Sequence, residues 1–237
     1  LLDCEDDLLA IAEAFDIAYF PEAIRAPDRG RYDVSLVEGS ITTPAEAERI
    51  HRIRRKSKTL VAIGACATSG GFQALRNFDD VDRCVRAVYT NRDAIDSLPR
   101  STPISDHVPV DLELHGCPIR KEHLVELLSA YRSRRRPNVP THALCLECKE
   151  AGATCVMVAD RVPCLGPVTR AGCGAICPRF GRGCYGCFGP HESANASALA
   201  DRMRDGLGIG ADRVLLAFRG LQAGAEPFGK ESGRHER

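Results

Sequence analysis

Eight of the twelve cysteines fall between Cys145 and Cys187, and this concentration limits what the chain can fold into more than any other feature of its sequence. The first 140 residues hold only four cysteines and have the strand and helix pattern of an ordinary cytosolic α/β domain. Dense cysteines attached to such a domain are more often metal ligands than disulfide partners. We therefore interpret the cysteine-rich segment as metal-binding.

The number and spacing of these cysteines leave two kinds of metal site open. Eight thiolates make two sets of four, which is the usual number of ligands for a 4Fe–4S cluster. A Cys-x-x-Cys pair opens the segment and another closes it, and such pairs also form structural zinc sites. The glycines among the cysteines would let backbone amides approach cluster sulfurs, or would simply permit tight turns. Spacing alone does not separate two clusters from two zinc ions.

The first half of the chain alternates helix and strand patterns, which is typical of a parallel sheet covered by helices. We predict helices over residues 5–15, 42–55 and 120–136. We predict strands over residues 16–20, 32–40, 59–67 and 108–118. The arrangement resembles a flavodoxin-like sheet, in which ligands lie outside the C-terminal ends of the strands. Cys66 and Cys117 each follow a predicted strand, so we expect both at that edge.

The composition changes after residues 137–140, and we divide the chain there into a flavodoxin-like domain, residues 1–136, and an iron–sulfur domain, residues 137–237. Residues 141–192 are rich in Cys, Gly and Pro, so we expect no apolar core of their own and folding energy supplied by metal. A helical pattern returns over residues 195–218. The polar, Gly-rich end, residues 223–237, would be ordered only if a partner chain held it.

Charge and hydropathy exclude several classes of function. The 32 basic and 32 acidic residues balance, which argues against a general nucleic-acid or membrane-surface role. No apolar run approaches the roughly 20 residues needed to span a bilayer, and no signal-peptide pattern opens the sequence. The sequence contains no Gly-x-Gly-x-x-Gly motif, so we expect no nucleotide site in this chain. Because the chain begins Leu1-Leu2-Asp3 without Met, we expect that a segment precedes it.

Four segments, in order along the chain, resemble the small subunits of NiFe hydrogenases. PCLGPVTRAGCGAICPRFGRGCYGC (163–187) is similar to their C-terminal iron–sulfur domain. AIGACATSGG (62–71) and HGCP (115–118) are similar to two of their cysteine loops, and LVEGSI (36–41) to their Glu-Gly loop. Within that family, the chain most resembles the delta subunits of bidirectional cytoplasmic hydrogenases, the sulfhydrogenases.

This resemblance implies three iron–sulfur clusters. A proximal cluster would use Cys66 and Cys117, with its other two ligands in a loop that precedes Leu1. A distal cluster would use Cys145, Cys148, Cys155 and Cys164. A medial cluster would use Cys173, Cys177, Cys184 and Cys187. Two 4Fe–4S clusters would therefore be complete within the chain, and the third would lack two ligands in the present numbering.

Two departures from the membrane-linked relatives bear on the electron acceptor. Those relatives carry His where this chain has Cys145, and only three medial cysteines around a 3Fe–4S cluster. Here Cys177 supplies a fourth medial thiolate, so the resemblance implies a 4Fe–4S cluster. Clusters of this type commonly have low potentials, which suits a nicotinamide couple better than a quinone.

The resemblance implies an oxidoreductase subunit with no catalytic residue of its own. Hydrogen would be split at the NiFe site of a separate large subunit, and electrons would pass to a flavin and NAD(P) diaphorase subunit and a ferredoxin-like iron–sulfur subunit. No nucleic acid and no membrane partner is expected. Two alternatives are a hydrogenase small subunit with another acceptor, a deazaflavin or a heterodisulfide reductase complex, and a zinc-stabilised interaction module without a redox role.

Other polar residues and cysteines have simpler interpretations. Cys4 and Cys84 lie in helical patterns, where free cysteine often serves as a small buried hydrophobe. His115, next to Cys117, would be a packed histidine rather than a hydrogen-bonding partner of a cluster. Glu38 could order the proximal loop, relay protons or cap a turn, and the sequence does not choose among these roles.

Overall fold

Three parallel strands form the sheet in the computed structural model, which describes residues 7–23 and 30–236. They are β1 (Tyr32–Val37), β2 (Ser57–Ile63) and β3 (Leu112–Leu114), and their spatial order follows the sequence. Val34 pairs with Thr59, and Val61 pairs with Leu112. The middle strand, β2, is buried on both faces, and its run of apolar residues is what a strand in such a position requires.

Helices cover both faces of this sheet. They are α1 (Asp7–Ala14), α2 (Pro44–Lys56), α3 (Gly64–Ser69), α4 (Val81–Val88) and α5 (Lys121–Arg132), with 3-10 turns at Phe72–Phe78, Arg92–Ala94 and Ile104–Asp106. Helix α2 begins at a capping box, because the Thr43 hydroxyl accepts from the Glu46 amide and the Glu46 carboxylate accepts from the Thr43 amide. Pro44 fits the first turn, where its missing N–H costs nothing.

The alternation of side chains along β2 builds two separate cores. Val61 and Ile63 point to one face and pack with Leu124 and Leu128 of α5. Leu60 and Ala62 point to the other face, where Ile50 of α2 and Ile104 complete a second cluster. Successive residues of a strand face opposite sides, so one strand anchors helices on both. The predicted α/β, flavodoxin-like fold class is confirmed.

A third core lies under the cysteine-rich segment. The helices of this part are α6 (Cys145–Glu150), α7 (Val156–Ala159), α8 (Ile176–Arg179), α9 (Ala196–Asp201), α10 (Ala211–Phe218) and α11 (Glu226–Arg234), with a π-helical turn at Arg202–Gly206. Leu144, Leu165, Met203 and Val214 are among its buried members, which all come from residues 144–228. Residues 141–192 do not form this core alone, because many of its buried members, such as Met203 and Val214, come from the helices that follow. That metal binding supplies folding energy to the segment stays a prediction. The separate core supports a boundary near residue 136, which stays a prediction.

The C-terminal end also differs from expectation. Residues 223–237 were expected to need a partner chain, but α11 packs on α9 and α10 of the same chain. Its Phe228 is buried, and the ring lies edge-on to Phe218 at 5.7 Å between centroids. Burial of this aromatic ring outweighs the poor helix propensity of Gly229 and Gly233. The ordered tail is thus explained by packing within the chain.

In the part of the chain that the structure describes, one predicted strand is absent and the other three end earlier than predicted. Residues 16–20 form no strand, and a turn begins at Pro21. The strands predicted over 32–40 and 59–67 end at Val37 and Ile63, the latter because helix α3 starts at Gly64. The strand predicted over 108–118 is reduced to Leu112–Leu114. Just before it, the Asp111 side chain accepts from the Leu60 amide at 2.7 Å and so takes the place of a backbone partner. No helix of the described residues is long and apolar enough to cross a membrane.

Candidate metal centres

Cys66 lies in a tight turn at the C-terminal end of β2. It belongs to the short helix α3, which starts directly after that strand and ends at Gly70 with a left-handed backbone, φ +80°. Gly71 then folds back on the cysteine, so that a Cβ added there would lie 2.5 Å from the Cys66 sulfur. Only glycine fits this approach. The Cys66 thiol donates to the Gln73 side-chain oxygen at 3.3 Å.

Cys117 reaches the same edge from β3. The loops after the two strands are joined by the Ala65 amide, which donates to the Gly116 carbonyl at 2.9 Å. Burial raises the pKa of the Cys117 thiol, and the nearby Cys66 adds to this effect. The structure therefore brings together the two cysteines that the sequence placed at this edge. Cys117 is exposed and Cys66 is half-buried within this chain.

Four cysteines of the second part gather around helix α6. Cys145 and Cys148 are one turn apart on this helix, Cys155 caps the start of α7, and Cys164 is buried in the following loop. Burial raises the pKa of Cys148 to about 11, with smaller contributions from the other three thiols. The same pattern, burial first and then Cys164 and Cys155, raises the pKa of Cys145. The four predicted distal ligands thus interact with one another.

The other four cysteines, Cys173, Cys177, Cys184 and Cys187, belong to the same part of the molecule, and Cys184 is a buried member of the same core as Cys164. Burial raises the pKa of Cys187 to about 12, followed by the effects of Cys173, Cys177 and Cys117. Burial also raises the pKa of Cys184, and Cys164 of the distal set and then Cys187 add to that shift. Cys177 lies on α8, where burial and then Cys173 raise its pKa. The predicted medial ligands therefore form a second interacting group.

Backbone contacts hold the two groups against each other. The Cys184 amide donates to the Cys164 sulfur at 3.2 Å, and the Gly186 amide donates to the Cys184 sulfur at 3.3 Å. A Cβ at Gly183 would lie 1.9 Å from the Pro163 carbonyl oxygen, so this contact requires glycine. Hydrogen bonds of this kind, from backbone amides to ligand sulfurs, tune the reduction potentials of iron–sulfur clusters.

Glu147 is a functional candidate that the sequence reasoning missed. It lies between Cys145 and Cys148, and its carboxylate accepts from the Gly172 amide at 2.8 Å and the Ala175 amide at 3.2 Å. These two amides flank Cys173, so one side chain of the distal group holds the loop of the medial group. The only signal in the sequence was its place inside a Cys-x-x-Cys pair.

The chemistry of this donor set fits iron–sulfur clusters. All the cysteines among the described residues are free thiols. Clustered, partly buried thiols ionise with difficulty, and bound metal cations would compensate the thiolate charge. Within the described residues, no three His, Cys, Asp or Glu side chains are placed to hold a single metal ion.

The remaining candidates lie outside these groups. Burial, with a smaller contribution from Arg170, lowers the pKa of His115 to about 4, so the ring is neutral near pH 7. Its Nε2 lies 3.5 Å from the Glu113 carboxylate, which agrees with a packed histidine. Glu38 is exposed just beyond β1, and Cys84 is half-buried on α4. Cys4 lies outside the described residues.

Comparison with known proteins places this arrangement in a family. The family described as "NADH ubiquinone oxidoreductase, 20 Kd subunit" matches residues 1–131, more than half of the chain. Sulfhydrogenase 2 subunit delta of Pyrococcus furiosus is 36% identical over 205 residues, covering 86% of each chain. A subunit of the F420-non-reducing hydrogenase of Methanocaldococcus jannaschii is 32% identical, covering 92% of this chain and 88% of its own.

A solved structure gives the same result. One chain in the crystal structure of an NAD⁺-reducing [NiFe]-hydrogenase in the H2-reduced state matches with a TM-score of 0.52 and 31% identity. The match covers 56% of this chain and 82% of that one. The sequence resemblance to hydrogenase small subunits is confirmed. The chain belongs to the 20 kDa NADH–ubiquinone oxidoreductase family and, within it, to the small subunits of NiFe hydrogenases.

Proposed function

We propose that this chain relays single electrons between the NiFe site of a large subunit and an NAD(P)-linked diaphorase partner. The relay would consist of a proximal, a medial and a distal iron–sulfur cluster. The observation that carries the proposal is the placement of ten cysteines in three neighbouring groups. These are the Cys66 and Cys117 pair, the medial group and the distal group.

The three groups adjoin one another in the order that a relay needs. Cys117 of the sheet edge interacts electrostatically with Cys187 of the medial group. Cys173 and Cys177 of the medial group interact with Cys148 and Cys164 of the distal group, respectively. These interactions support a relay in which the medial group would lie between the other two.

The chain's own residues would hold and shield the clusters. Cys164 and Cys184 are members of the third core, so that core would exclude water from the middle of the relay. When bound, the clusters would supply one-electron redox chemistry. The amides of Cys184 and Gly186 would donate hydrogen bonds to ligand sulfurs, which helps to set the potential of each cluster.

NAD(P) is favoured as the final acceptor by the eight cysteines of the second part, since all-thiolate 4Fe–4S clusters commonly have low potentials. The solved relative named above is an NAD⁺-reducing enzyme. The relative from Methanocaldococcus jannaschii is named as a hydrogenase that does not reduce F420. A small subunit that serves another acceptor, such as a deazaflavin or a heterodisulfide reductase complex, is the second candidate.

The choice of acceptor is tested on the complex purified from its own host under anaerobic conditions. We expect the tagged chain to bring with it a NiFe large subunit and a flavoprotein, and the complex to reduce NAD⁺ or NADP⁺ with hydrogen. Reduction is followed by absorbance, with a deazaflavin and a heterodisulfide as alternative acceptors in parallel. Reduction of either alternative without reduction of the nicotinamides would reject the NAD(P) assignment.

Metal content separates the relay from a zinc-stabilised module. Two complete 4Fe–4S clusters predict about eight iron atoms per chain, and more with a proximal cluster. Elemental analysis of the anaerobically purified protein measures iron and zinc together. Cys84→Ser serves as the matched control, because Cys84 lies outside the three groups and should leave the iron content unchanged. About two zinc atoms and no iron would contradict the proposal.

Replacement of Cys177 tests the composition of the medial cluster. Three thiolates hold a fourth iron poorly, so Cys177→Ala should lose about one iron atom per chain. The oxidised variant should then show the electron paramagnetic resonance signal of a 3Fe–4S cluster, which Cys84→Ala should not show. An unchanged spectrum with unchanged iron would remove Cys177 from the set of ligands.

Replacement of Glu147 tests its hold on the Cys173 loop. Glu147→Ala leaves the Gly172 and Ala175 amides without their acceptor, and a hydrogen bond to a charged group contributes about 1.5–3 kcal/mol. We expect faster loss of iron to a chelator and a lower Tm for the cluster-loaded protein. Glu150→Ala, at an exposed acid of the same helix, is the matched control. Equal chelation rates for both variants would show that the two bonds contribute nothing to cluster retention.

A further inference from the structure

One buried amide side chain joins the sheet edge to the medial group. Gln222 follows α10 and is 2% exposed. Its side-chain oxygen accepts from the Ser69 hydroxyl, and its side-chain nitrogen donates to the Cys187 carbonyl at 3.0 Å. Ser69 is the last residue of α3, the helix that carries Cys66. Gln222 therefore spans two segments that bear ligands of different candidate clusters.

The orientation of this amide is fixed by its partners. The Cys187 carbonyl can only accept, so the NH2 group of Gln222 must face it. The oxygen of the same amide then faces the Ser69 hydroxyl, whose one proton is shared between Gln222 and the Ala65 carbonyl at 2.9 Å. If the amide were flipped, the Gln222 side-chain oxygen would face the Cys187 carbonyl oxygen, and the hydrogen bond between the two residues would be lost. Both ends of the side chain are thus specified.

The surroundings leave little room for another arrangement. Gly224, two residues after Gln222, lies so close to α3 that an added Cβ would be 1.9 Å from the Ser69 carbonyl oxygen. A Cβ at Gly189 would lie 3.5 Å from the Gln222 amide carbon. Because this region is packed and dry, a lost partner would leave a buried polar group unsatisfied. Any shift at Gln222 would be passed to both segments.

We propose that Gln222 is a positioning residue that fixes the Cys66 helix relative to Cys187 and so sets the electron-transfer step between the proximal and medial clusters. This inference rests on the proposed relay function. Electron tunnelling slows steeply as the separation of two redox centres grows, so a small displacement of either segment would alter the rate. Gln222 would act through the ligands' backbone and would touch no cluster itself.

The test uses the complete anaerobic hydrogenase complex with two variants and a control. Q222L removes both hydrogen bonds, whereas Q222E in its ionised form keeps the shape and the acceptor for Ser69 but has no proton to donate to Cys187. The control is Ser232→Ala, which replaces another fully buried polar side chain near the C-terminus, on α11, whose hydrogen bonds involve only Gly229 and Arg219. Iron content and Tm are measured for every variant.

Two readouts separate a positioning role from general damage. Hydrogen–deuterium exchange activity needs only the NiFe site, whereas hydrogen-driven reduction of an acceptor needs the relay. We expect the ratio of acceptor reduction to isotope exchange to fall severalfold in Q222L and Q222E but not in Ser232→Ala. We also expect a changed magnetic coupling between the reduced proximal and medial clusters in their electron paramagnetic resonance spectra.

Each contrary outcome is decisive. Unchanged coupling and an unchanged activity ratio in iron-replete Q222L would overturn the proposal, as would an equal effect in Ser232→Ala. Failure of both Gln222 variants to assemble, with the control intact, would show that Gln222 holds the fold and would equally overturn it. A wild-type protein that contains zinc and no iron would reject the relay function itself, and this inference with it.

Discussion

The whole second part of the molecule depends on the apolar core that the C-terminal helices build beneath the cysteine loops. Those loops have little regular structure, and their backbone groups cannot hold thiols in place unaided. Cys164 and Cys184 are themselves members of that core, packed with Phe218 and Phe228. Burial of two phenylalanine side chains stabilises by about 3–6 kcal/mol on area arguments. Metal binding would therefore complete a scaffold that apolar packing has already shaped, instead of folding a loose chain.

Side chains of one group repeatedly hold the backbone of the next. Glu147 of the distal group binds the loop around Cys173, and Gln222 binds both α3 and Cys187. Apart from the bond between Gln222 and the Ser69 hydroxyl, these bonds are made to backbone amides and carbonyls, which are fixed by the chain path. They therefore set the spacing of segments rather than the rotamers of single ligands. Glycines allow the same close approach, as Gly71 does over Cys66. Spacing is the quantity on which a relay of redox centres depends.

Sequence reasoning reached the fold class, the edge that carries Cys66 and Cys117, and helix α2, because each has a local signal. Thr43 and Glu46 stand three residues apart, and apolar runs mark the strands. It failed where the decisive contact is remote in sequence. Gln222 binds Ser69, 153 residues away, and no periodicity near Gln222 indicates that bond. The tail was misjudged for the same reason, since only the fold places Phe228 against Phe218.

The exposure of the cysteines indicates which two ends of the proposed relay partner subunits would cover. Cys117 at the sheet edge and Cys155 in the distal group are exposed, whereas Cys164 and Cys184, in the middle, are buried. Electrons must enter and leave such a relay at surfaces that partners can cover, while its interior has to be kept from water and from oxidants. A large subunit at the sheet edge and an acceptor subunit at the Cys155 end would each bury an exposed ligand. The two exposed ends of the proposed relay are therefore where partner subunits would exclude water from the clusters, as the apolar core does between them.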